Sequence, residues 1–155
     1  MQALDYLKAM KEERFLHIYE TLSQDGHGPL DGEVAKALKF RPHMIRKVPF
    51  DKRARTAKAV LARGGNGELC YELFASYLLK DSKQLVIDFL DKTDVPHEEG
   101  MVQDIQADTP APEKISAAVK ELDETYSTED VTLYLALAAG QWPNVPEVAS
   151  AYAMR

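Results

Sequence analysis

A single cysteine, Cys70, stands among 155 residues, and one thiol closes no internal disulfide. No apolar run approaches the roughly 20 residues needed to cross a bilayer as a helix, so no membrane span is expected. The first residues, Met1 to Arg14, have neither a basic n-region nor an unbroken apolar run, and predict no secretory signal. A reduced, buried Cys70 and cytoplasmic residence are the simplest joint expectation. Catalytic strings are missing too. There is no Gly-x-Ser-x-Gly elbow, no His-x-x-x-His with an intervening Glu, and no Glu-x-x-His pair of the di-iron type.

What is present reads as helix. From Glu68 to Lys92 the chain is at its most apolar. Leu69, Cys70, Leu73, Phe74, Tyr77 and Leu78 fall on one face at i, i+3, i+4 and i+7 spacing. Asp81-Ser82 interrupts that pattern, with Ser82 as the expected N-cap of a second helix whose stripe is Leu85, Val86, Phe89 and Leu90. An αα-hairpin is therefore expected here. Residues 2–24 predict one amphipathic helix, stopped by the turn Ser23 to Pro29, which includes His27. A helix over about 30–40 ends before Pro42. Asp51 is the expected N-cap of a basic helix over 52–63, closed by Gly64 to Gly67.

Further along, Asp94 is the expected cap of a short helix with Pro96 in its first turn. Residues 107–112 have linker-like composition. Two helices follow, over about 113–126 and 129–139, the second ended by Gly140, and then a last short one. With 45% apolar and 28% charged residues, the composition is that of one ordinary globular domain, with 107–112 the only place for a subdivision. The expected fold is all-α, an irregular bundle of six to eight helices built from αα-hairpins. An internal echo, helix, break, helix and proline turn recurring after about 46 residues, offers two HEAT-type helical pairs as the variant of that fold.

Charge is segregated along the chain. Residues 36–63 hold ten Lys/Arg against Asp51 alone, while residues 64–155 hold six against seventeen acidic residues. The basic helix presents Lys52, Arg53, Arg55, Lys58 and Arg63 as a candidate interaction surface. Its expected counterpart is the acidic C-terminal part of its own chain, the acidic surface of another protein, or a second copy. Nucleic acid is the alternative ligand of 36–63, although the acidic remainder would repel a polyanion and only Phe40 and Phe50 are there to stack on bases. Trp142, in a proline-rich turn, is either a cap over the core or an exposed partner anchor. His97, Glu98 and Glu99 form a weak candidate for a metal-dependent enzyme, and His17, His27 and His43 are scattered. The glycines at 64–67 lack the Lys-Ser/Thr pair of a P-loop, follow a helix instead of a strand, and precede Glu68. The reading favoured by these residues is a non-catalytic cytoplasmic interaction or adaptor module, without cofactor and capable of self-association.

Overall fold

The computed structural model describes residues 2–23, 28–63 and 67–155. Among these the chain is all-α, with nine α-helices and no strand. Its contacts divide it into two compact units, Ala3–Tyr77 and Leu78–Arg155, with the boundary inside one helix. Residues 107–112, the expected point of subdivision, lie within the second unit. No helix among the described residues is long and apolar enough to cross a membrane.

In the first unit, the helix expected over 2–24 is two helices, α1 (Gln2–Ala9) and α2 (Glu12–Ser23). The reason lies in the pattern itself. A continuous helix would carry Leu7, Lys11, Arg14 and Ile18 on one stripe and so bury two cations. Instead the ladder stops at Met10, whose N–H bonds to the Tyr6 carbonyl. The Lys11 carbonyl then starts a new ladder by accepting from Arg14 and Phe15. Leu7, Phe15, Ile18 and Tyr19 all stay buried, while Arg14 lays its guanidinium 5.3 Å from the centre of the Tyr77 ring. This break raises the helix count above the expected six to eight.

Helix α3 (Gly28–Ala37) ends earlier than Pro42 requires. Lys39 adopts a left-handed conformation with φ 60°, and the Phe40 N–H returns to the Ala35 carbonyl while Lys39 N–H returns to Lys36, a Schellman closure without glycine. A 3-10 helix over Pro42–Lys47 leads to α4 (Phe50–Leu61). Pro49, not Asp51, holds the N-cap position of α4, and Asp51 sits in its first turn, where the helix dipole favours a carboxylate. Ala54, Ala57, Val60 and Leu61 are buried, as the sequence predicts. The Gly64–Asn66 part of the expected glycine closure, and His27 in the earlier turn, lie outside the described residues. Helix α5 (Gly67–Asp81) buries Cys70, Leu73, Phe74 and Tyr77 in the first unit.

The second unit contains α6 (Lys83–Lys92), α7 (Pro112–Thr125), α8 (Thr128–Gln141) and α9 (Pro146–Ala153). Ser82 takes the N-cap position of α6, yet its hydroxyl donates to Asp130 at 3.2 Å and caps nothing. Ser127 is the working cap, accepting from Asp130 N–H. Gly140 does not end α8, which continues to Gln141. Trp142 stops it, being pushed out of the α region by Pro143. The internal echo does not extend to packing, because α6 keeps a wet face whereas α8 is buried on all sides over Leu133–Ala139.

Asp94 starts no helix. With φ 61° it is the left-handed closing residue of α6, with Val95 N–H on the Leu90 carbonyl. Aspartate is among the few residues that tolerate this conformation. Residues 94–110 instead form a long ordered loop, closed at its base by Ala111 N–H on the Thr93 carbonyl. Glu98 and Met101 exchange backbone bonds, and Gly100 turns between them at φ 89°. One Asp104 carboxylate oxygen accepts from Gln106 and Ala107 N–H.

Candidate interaction surfaces

The five cations expected to form one basic face divide. Lys52 and Arg55 are exposed on α4, and Arg63 lies exposed beyond its last turn. Arg53 turns toward Phe50, its guanidinium 5.8 Å from the ring centre, and acts electrostatically on the buried Tyr19 phenol. That phenol is pushed up to about 12, first by burial, then by Asp31, with Arg53 opposing. Lys58 donates to the Met10 carbonyl at 3.3 Å, a group freed by the break between α1 and α2. Arg53 and Lys58 are therefore only half exposed, and the ten cations of 36–63 do not all project into solvent.

The break has a second effect. With α1 and α2 separate, residues of both line a groove of about 380 Å³ together with α4. Phe15, Leu16, Ala54, Ala59 and Ala62 supply its apolar lining, and the alanines leave the space that larger side chains would fill. Lys8, Arg55 and Lys58 line it as cations, with Glu12 the opposing charge. Clefts that take small ligands or side-chain anchors start near roughly 300 Å³. Neither Lys8 nor Leu16 is legible as part of such a site from spacing alone; the cations at Lys11 and Arg14 on an apolar stripe were the available signal.

The structure does not gather the metal candidate, His97, Glu98 and Glu99, into one ligand set. His97 Nδ1 accepts from Gly100 N–H at 3.0 Å, which places the ring proton on Nε2, and Nε2 meets an Asp91 carboxylate oxygen at 2.6 Å. Both nitrogens are thereby occupied. Glu99 pairs with Lys83 at 3.1 Å, and among the described residues no three His, Cys, Asp or Glu side chains form a metal-sized group. His97 organises its own loop. His17 lies edge-on to Tyr77, and His43 is exposed.

Trp142 is a cap and not an exposed anchor, for it is only 2% exposed. Its indole N–H is shared between the carbonyls of Ile105 and Asp108, at 3.1 and 3.2 Å. The loop it holds carries the exposed apolar groups that the sequence reading missed, Met101 at 56% and Ile105 at 39%. The loop's own sequence is acidic, with Glu98, Glu99, Asp104 and Asp108 and no Lys or Arg between Lys92 and Lys114, while Lys83 from α6 lies beside Met101 and pairs with Glu99. Cys70 is buried, its Sγ 3.5 Å from the Ala3 carbonyl, and burial pushes the thiol up to about 12, away from nucleophilic use. No family model, curated protein or solved structure matches this chain.

Proposed function

We propose that the protein is a non-catalytic, cytoplasmic interaction module whose groove between α1, α2 and α4 receives an apolar side chain from an acidic segment of a protein partner. The observation that carries this reading is the alanine-floored groove lined by Lys8, Arg55 and Lys58, with Glu12 alone opposing them. The apolar floor offers affinity, and the cations set orientation and on-rate. A nucleic acid would use the cations but not the floor. The inert, buried Cys70 supports residence in a reducing compartment.

The test is fluorescence anisotropy with a labelled acidic amphipathic peptide, a Leu-to-Ser version of it, and labelled single-stranded and duplex DNA. The expected result is binding of the peptide alone, lost in the Ser version and weakened about tenfold or more by Arg55→Glu, the equivalent of about 1.4 kcal/mol. Tighter binding of DNA with a steep salt dependence would replace this reading by the nucleic-acid one. Equal binding of the Leu and Ser peptides would remove the groove from it.

A further inference from the structure

Four large apolar side chains are exposed among the described residues: Phe40, Met101, Ile105 and Met154. Phe40 stands between Lys39 and Arg41, cations of the same sign as those of the groove. Met154 adjoins Arg155, whose guanidinium is committed to Asp123 through two bonds of 2.6 and 2.9 Å. Met101 and Ile105 lie in an acidic stretch of chain, Glu98 and Glu99 before them and Asp104 and Asp108 beside them. Lys83 is the cation at this place, and it is paired with Glu99, leaving Glu98, Asp104 and Asp108 as the excess. A non-helical stretch longer than about 12–15 residues is uncommon in a compact protein unless it has a use. This one is also fixed in shape by the Glu98–Met101 backbone pair, the His97–Gly100 bond and the Trp142 indole. An anchor held rigid before binding loses little freedom on docking.

We infer that the acidic partner of the groove is the 97–108 loop of a second copy of this chain, Met101 or Ile105 entering the apolar floor while the loop's carboxylates face Lys8, Arg55 and Lys58. This rests on the function proposed above and names its partner. The two surfaces differ, so the association is head-to-tail. Each copy that docks its loop still offers a groove, and assembly continues unless the rotation closes a ring.

Sedimentation velocity of the full chain over a concentration series tests this, with wild type, Arg55→Glu and Met101→Lys, both changes being at exposed positions. The wild-type mass is expected to rise with concentration and fall again in high salt. Each variant alone is expected to stay monomeric, its association weakened at least about tenfold. Mixing the two variants restores one interface, a sound loop on Arg55→Glu with a sound groove on Met101→Lys, and gives a 1:1 pair that grows no further. A wild type that stays monomeric, or variants that fail to pair when mixed, overturns the inference. Anisotropy on Met101→Lys separates the two levels. If the acidic peptide binds this variant while wild-type copies do not associate, only the second copy is refuted as partner. If the peptide does not bind either, the groove reading falls with it.

Discussion

Replacing Trp142 by phenylalanine removes the one indole of the chain and with it the N–H shared by the Ile105 and Asp108 carbonyls. A neutral hydrogen bond contributes about 1 kcal/mol net, and an acceptor left dry costs about 1–3 kcal/mol. Ile105 is 39% exposed, so water reaches this edge of the loop and the low end applies. The smaller ring adds about 1 kcal/mol in lost burial and in the space left behind. The expected loss is about 2–3 kcal/mol. With a urea slope of about 2 kcal/mol/M, this lowers the unfolding midpoint by about 1 M. The sharper readout is local. Hydrogen exchange at Gln106, Ala107 and Asp108, whose amides bond to Asp104, should accelerate at least about tenfold under conditions where the folded state dominates, while amides of α4 keep their protection. Unchanged exchange at these three amides, in a variant otherwise folded, would refute the claim that the indole orders the loop.

Three further outcomes are expected. Lys39→Gly should raise stability by about 0.5–1 kcal/mol, because glycine takes φ 60° without strain; a denaturation midpoint that does not rise would show that Lys39 is unstrained. Tyr126 donates to an Asp88 carboxylate oxygen at 2.5 Å and its phenol is pushed up to about 12, by burial first and then by that bond. Since the folded value is the raised one, its stabilisation is complete below the ordinary tyrosine value near 10 and is lost as pH rises through about 12. Stability measured from pH 9 to 12 should therefore fall more steeply in wild type than in Tyr126→Phe, and parallel curves would contradict the assignment. Cys70 should react with an aromatic disulfide reagent at pH 8 only as fast as the protein opens, so mild denaturant should accelerate the reaction; prompt reaction in the native state would show the thiol to be accessible.

Helix faces were legible because burial follows spacing: Ala54, Ala57, Val60 and Leu61, or Leu85, Val86, Phe89 and Leu90, are where a period of 3.6 puts them. The break at Met10-Lys11 was not, since both residues are good helix formers and the local preference is to continue. What ends the helix there is the cost of burying Lys11 and Arg14, a tertiary effect. The closures at Lys39 and Asp94 escape the sequence for a related reason, as left-handed closing residues are expected at glycine and these two give no such sign. The groove inherits the first failure, because Lys8 and Leu16 line it only once α1 and α2 are separate. The loop inherits the second. With Asp94 read as a helix start, Met101 and Ile105 lose their place at the surface, and Trp142 its partners.

The all-round burial of α8 has a consequence for handling the molecule. From Val131 to Ala139 the chain carries no charge, and it contains Leu133, Tyr134, Leu135 and Leu137 in close succession. Released from its neighbours, such a stretch associates readily as extended chain. Glu129 and Asp130 act as gatekeepers before it, but the next charge after it is Glu147. Heating at high concentration should therefore end in precipitate, at a temperature set by heating rate and protein concentration as much as by equilibrium stability. Recovery from denaturant is best at high dilution.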